Sequence, residues 1–135
     1  MSYGKILIVD DEPEILRLLD IELASEGYIV LKAQSGQEAI MKAQNSLPDL
    51  IIMDIMMPDM DGAQAIRTLK SSPKTKEIPV IFLTAILTKE EEKLKTAGVT
   101  IDNEYYTAIA KPFNPKALLN EVSKILFKGT KQFKD

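Results

Sequence analysis

The chain has 135 residues, of which 45% are hydrophobic and 27% charged, with a formal net charge of −3 and neither cysteine nor histidine. Disulfides, thiolate metal sites and an imidazole base are thereby excluded, so any chemistry must rest on Asp, Glu, Lys, Ser, Thr or Tyr. The mild acidity gives no electrostatic footprint for nucleic acid, and no apolar run approaches the roughly 18 residues of a membrane span.

Five short apolar runs alternate with segments of helical periodicity. "KILIV" (5–9), "YIVLKA" (28–33), "DLIIM" (49–53), "VIFLT" (80–84) and "YTAIA" (106–110) predict strands. Four of them are nearly continuous in apolar residues, as parallel strands covered on both faces should be. Pro13 suits the first turn of a helix that turns Ile15, Leu16, Leu19 and Leu23 inward and stops at Gly27. Ser35 with Glu38 forms a capping box for a second helix, carrying Ala39, Ile40 and Ala43 and ending before Pro48. A third follows Gly62 with Ile66 and Leu69. Thr88 with Glu91 predicts a fourth, closed by Gly98. Asn114-Pro115 opens the last, with Leu118, Val122, Ile125 and Leu126 on one face. The alternation implies an α/β fold, a three-layer doubly wound (βα)5 parallel sheet with right-handed crossovers. The N-terminus lacks a signal-peptide layout, so a soluble cytoplasmic domain over 1–127 is expected, with 128–135 a polar tail or linker start.

Ligands of open parallel sheets bind beyond the carboxyl ends of the strands. The first strand runs into Asp10, Asp11 and Glu12; the third ends at Asp54, the fourth at Thr84, the fifth at Lys111. Aspartates converging on one rim repel one another unless a cation joins them. An all-oxygen site calls for a hard divalent ion, and Mg2+ takes one or two carboxylates plus phosphate oxygens. Lys111 supplies fixed positive charge for a phosphoryl group and Thr84 a hydrogen bond, while a carboxylate can itself be the nucleophile. Each residue has a duller role in isolation. Asp10, Asp11 and Glu12 would favour the positive end of a helix by about 0.3–1 kcal/mol, and Asp59, Asp61 and Gly62 suit a turn. Met56 fits loop packing, although its carbonyl could coordinate. The joint placement at successive strand tips favours the chemical reading.

The blocks "ILIVDDEP", "DLIIMDIMMPDMDG", "IFLTA" and "AKPF" stand in an order and spacing that resembles two-component response-regulator receiver domains, from Lys5 to about Phe127. The resemblance implies a flavodoxin-like strand order of 2-1-3-4-5. It implies that Asp54 accepts phosphate, as a 4-aspartylphosphate, from a sensor histidine kinase or phosphotransfer protein. Asp11, Asp54 and the Met56 carbonyl would bind Mg2+, with Asp10 assisting through water. Thr84 and Lys111 would contact the phosphoryl group, and small Ala85 would leave room for it. The Lys111-Pro112 bond is expected to be cis. Output would be altered binding of a downstream protein or effector domain, with no turnover beyond phosphorylation and dephosphorylation of Asp54.

Two departures from the family pattern bear on signalling. Twelve residues separate Gly98 from Lys111, a longer segment than receivers usually carry, and it lies beside a face where the family docks partners. Ala108 stands where receivers usually place a switching aromatic, leaving Tyr106 to substitute. Three rivals are weaker. A Mg2+-dependent phosphohydrolase with an aspartyl intermediate would commonly have an acid at position 56. A flavin carrier would have a Ser/Thr/Gly-rich loop in place of "DDEPE". A phosphate-independent pseudo-receiver would not need the complete acceptor site.

Overall fold

The computed structural model describes residues 4–85 and 96–127. The described residues form six strands and four helices: β1 (Lys5–Val9), α1 (Pro13–Ser25), β2 (Ile29–Ala33), α2 (Gly36–Ser46), β3 (Leu50–Asp54), α3 (Gly62–Lys70), β4 (Val80–Thr84), β5 (Thr96–Ile101), β6 (Glu104–Ala110) and α4 (Pro115–Leu126). The sheet order is β2-β1-β3-β4-β6-β5. Its first five positions are parallel and reproduce the expected 2-1-3-4-5 order, with β6 as the fifth strand.

Strand periodicity divides the core into two layers. Leu7, Val9, Ile51, Met53 and Phe82 face α2 and α3, meeting Ala39, Ala43, Ala65, Ile66 and Leu69. Ile6, Ile8, Ile52, Ile81, Leu83 and Ile109 face α1 and α4, meeting Leu16, Leu19, Leu23, Leu118 and Val122. The helix starts follow the sequence signals. Ser35 Oγ accepts the Glu38 N–H at 3.1 Å and Asn114 Oδ1 the Ala117 N–H at 3.1 Å. Glu38 reaches back one residue further than a capping box requires, accepting from Gln34 N at 2.8 Å.

One expectation is corrected. Gly98 does not close a helix: it lies inside β5, an antiparallel edge strand paired to β6, which makes the sheet six-stranded. The proposed start of that helix, Thr88 and Glu91, lies outside the described residues. The long segment before Lys111 is thus a hairpin. Asp102 and Asn103 at its tip have φ of 52° and 69°, the paired positive values of a type I′ turn whose twist matches that of the flanking strands. Arg67 and Lys70 of α3 form ion pairs with Asp102 and Glu104. These contacts are solvent-exposed and orient the tip without contributing much stability.

Two glycines pack against aromatic rings with different consequences. A Cβ on Gly62 would stand 2.8 Å from Phe82 Cε1 and 3.1 Å from the Ile55 Cα, both unable to retreat in the core. A Cβ on Gly98 would overlap the Tyr105 ring, but that ring is 69% exposed and can swing into solvent. Gly62→Ala should therefore destabilise by about 1–3 kcal/mol, as overpacking does. Gly98→Ala should stay within about 0.5 kcal/mol of wild type, the surface range. Urea midpoints at constant slope will check both.

Candidate phosphoryl and metal site

The backbone ladder continues past the strands and brings their ends together. Asp10 N donates to Ala33 O, Ile55 N to Leu83 O and Lys111 N to Thr84 O, at 3.1, 3.1 and 2.9 Å. Asp10, Asp54, Thr84 and Lys111 are thereby carried to one rim at the carboxyl edge. The Lys111–Pro112 bond there is cis.

Lys111 is the centre of the rim. Its ammonium lies 3.1 Å from Asp10 Oδ2, 3.0 Å from Glu12 Oε1 and 3.0 Å from Asp54 Oδ2. Asp10 and Asp54 are arranged alike. In each, Oδ1 accepts a backbone N–H from two residues ahead, Glu12 at 2.9 Å and Met56 at 3.1 Å, and Oδ2 turns to Lys111. Such Asx turns fix the carboxylate plane before any ligand arrives.

Asp10 is fully buried, and burial pushes its carboxyl above the ordinary value; the Glu12 N–H and the Lys111 ammonium offset part of the shift. Burial opposes the charge on Lys111 too, but hydrogen bonds to Asp54, Glu12 and Asp10 outweigh it and hold the ammonium above the usual lysine range. Lys111 is thus a fixed cation. Three carboxylates against one ammonium leave a formal local charge of −2.

The rim differs from the expected ligand set in one respect. Oxygens of Asp10, Glu12 and Asp54 lie within 4.8 Å of one another, whereas Asp11 is exposed and outside that group. Glu12, first readable as an acid at a helix start, makes no cap for α1 and binds Lys111 instead. Its place in the acidic run was the only sequence signal for this role. Thr84 is buried at the tip of β4, and Ala85 follows it, exposed. Met56 joins through its N–H while its side chain is 58% exposed. Tyr106 and Ala108 stand away from the rim, in the layer facing α3, where Tyr106 packs edge-on against Phe82 with ring centroids 5.6 Å apart.

The donors fit a hard divalent ion. They are all oxygens, their formal charge matches a dication, and Asp10 Oδ2 is a buried acceptor whose one contact among the described residues is the Lys111 ammonium at 3.1 Å. A buried carboxylate oxygen with a single partner has acceptor capacity left for an inner cation.

Residues 6–123 match the family described as the response regulator receiver domain. The chain is 38% identical over 122 residues to the alkaline phosphatase synthesis transcriptional regulatory protein PhoP of Bacillus subtilis, covering 90% of this chain and 48% of that protein. Identity to the transcriptional regulatory protein ResD of the same organism is 39%, with the same coverage. The chain thus spans about half the length of these curated relatives. Among solved structures, the chemotaxis protein CheY4 of Vibrio cholerae superposes with a TM-score of 0.76 at 30% identity, over 93% of this chain and 98% of that one. The receiver domain of a Syntrophus aciditrophicus signal transduction histidine kinase gives 0.75 at 34% identity, over 98% and 96%. The acidic rim around Lys111, the doubly wound sheet that presents it and these likenesses agree: the chain belongs to the receiver-domain family of two-component response regulators.

Proposed function

We propose that Asp54 is the phosphoacceptor, that it takes its phosphoryl group from a histidine kinase or phosphotransfer protein, and that the phosphorylated form changes partner binding. One observation carries the reading: a fixed ammonium lies 3.0 Å from the Asp54 carboxylate, which is pre-oriented by the Met56 N–H in a buried rim. A carboxylate oxygen of Asp54 attacks phosphorus, an O–P bond forms, and the bond from phosphorus to the donor nitrogen breaks. The departing imidazole keeps the electron pair and takes a proton. Lys111 neutralises charge that develops on the transferring group. Thr84, buried at the neighbouring strand tip, would donate its hydroxyl to that group.

Mg2+, when bound, supplies Lewis-acid neutralisation of the phosphoryl oxygens. Asp10 and Asp54 are the residues to hold it, with the Met56 carbonyl, and Glu12 or Asp11 completing the acidic set. A protein donor is favoured by the surface beside the rim. Ile15, Leu18, Pro112, Phe113 and Pro115 line an apolar groove next to Lys111, and Leu18 is 51% exposed. Such a groove suits an apolar helix face of the donor. For output, the β4–β6 ladder links Thr84 and Ala110 to the hairpin, with Tyr106 on the same face as Ala108.

Three outcomes are expected. With Mg2+ and a small acyl-phosphate donor, intact-mass measurement should show one phosphoryl adduct, absent in Asp54→Asn and formed about 10²–10³-fold more slowly in Lys111→Met. An adduct that persists in Asp54→Asn sinks the assignment. In metal-free buffer, Asp10→Asn should raise the denaturation midpoint at neutral pH. The buried Asp10 charge opposes folding there. That opposition fades as pH falls through its raised folded pKa, where the folded protein binds the proton first, so the variant's advantage should shrink on acidification. Last, amide exchange in the β5–β6 hairpin should change on phosphorylation in wild type and not in Tyr106→Ala. An equal change in both removes Tyr106 from the signal path.

A further inference from the structure

The loop between β3 and α3 is tied to a different helix. Asp59 Oδ1 accepts the Gly36 N–H and Asp59 Oδ2 the Gln37 N–H, both at 3.0 Å, so one carboxylate bridges the first two amides of α2. The next residue reinforces the contact: a Cβ on Gly36 would stand 2.2 Å from Met60 Cγ, so this loop occupies space that only glycine leaves open. The third amide of α2 is satisfied separately, by Ser35. Helix N-termini favour such an anion through their exposed N–H groups and dipole.

The same loop begins at the acceptor. Met56 N holds Asp54 Oδ1 at 3.1 Å, and the loop is pinched at its base by Gly62 N donating to Ile55 O at 2.7 Å. Asp61, which could be mistaken for an equivalent turn acid, caps α3 by accepting from Gln64 N at 2.8 Å. Within this loop Met57 is buried in the core and Met60 packs against it, while Asp59 ties the loop's apex to the α2 backbone by hydrogen bonds. Without it, the segment carrying Met56 gains conformations in which its N–H and carbonyl are misaligned with the rim.

We propose that Asp59 is a positioning residue for the acceptor site: it anchors the β3–α3 loop on α2 and thereby holds the Met56 backbone and Asp54 in the geometry that receives Mg2+. This rests on the reading of the rim as a Mg2+ and phosphoryl site. Partners of metal ligands that act from outside the coordination shell typically change affinity by about 10–100-fold, which sets the expected size.

The test separates positioning from mere helix capping. Mg2+ alone is titrated into 15N-labelled wild type, Asp59→Ala, Asp59→Asn and Ser35→Ala, with dissociation constants read from amide shifts at Asp10, Asp54 and Met56 and stability from urea midpoints. Ser35→Ala removes a cap from the same helix end without touching the loop. Asp59→Ala should weaken Mg2+ binding about 10-fold, the low end for such partners, while Ser35→Ala leaves it at the wild-type value despite its own loss of stability. Asp59→Asn keeps one acceptor oxygen and should fall between, and it serves in place of Asp59→Ala should that variant not fold. Equal Mg2+ affinity in the Asp59 variants and Ser35→Ala overturns the proposal. No binding by wild type overturns the metal reading itself, and is recognisable because all four proteins then behave alike.

Discussion

One ammonium facing three carboxylates is the constraint around which this domain is arranged. Lys111 holds Asp10, Glu12 and Asp54 at hydrogen-bonding distances, with Asp10 and Asp54 buried and Glu12 open to solvent. Acids so close repel unless a cation stands between them, and among the described residues Lys111 alone leaves the group short of neutrality. The folded state therefore carries uncompensated negative charge that a dication would offset. Burying Asp10 opposes folding, a recurrent trade between stability and a functional site.

The sheet makes that arrangement possible. Parallel strands buried on both faces leave their carboxyl ends as the place where polar side chains emerge together. The ladder bonds that run past the strand ends, such as Lys111 N to Thr84 O, set the spacing of those side chains more rigidly than free loops could. Preorganisation then extends outward by short steps, from the backbone turns under Asp10 and Asp54 to the loop that reaches α2. Each step is a hydrogen bond to main chain, and main chain in packed elements does not reorganise during a reaction.

At the opposite edge of the sheet, the β5–β6 hairpin replaces what the sequence spacing presented as a longer connection. Its register places Ala108 opposite Phe82, and the absence of a large side chain there leaves Phe82 to meet Tyr106 one strand step away. The Tyr106 ring therefore sits inward, only 7% exposed, with the Lys70 ammonium of α3 over it. A strand pair and an edge-to-face ring contact thus join the strand tips to the hairpin.

The sequence by itself determined the parallel sheet, its two apolar layers and the strand-tip residues Asp10, Asp54, Thr84 and Lys111. These follow from local periodicity and from where each apolar run stops, and both are properties of neighbouring residues. Tertiary structure alone decided three things. Glu12 rather than Asp11 turned to Lys111, because adjacent residues at a helix start point in different directions and the deciding partner lies 99 positions away. Asp59 became an anchor, because the α2 amides it binds are 22 and 23 positions distant. The segment around Gly98 became an edge strand, because a weakly patterned run takes its conformation from the strand it pairs with, and Gly98 leaves room for the ring of Tyr105 on that partner.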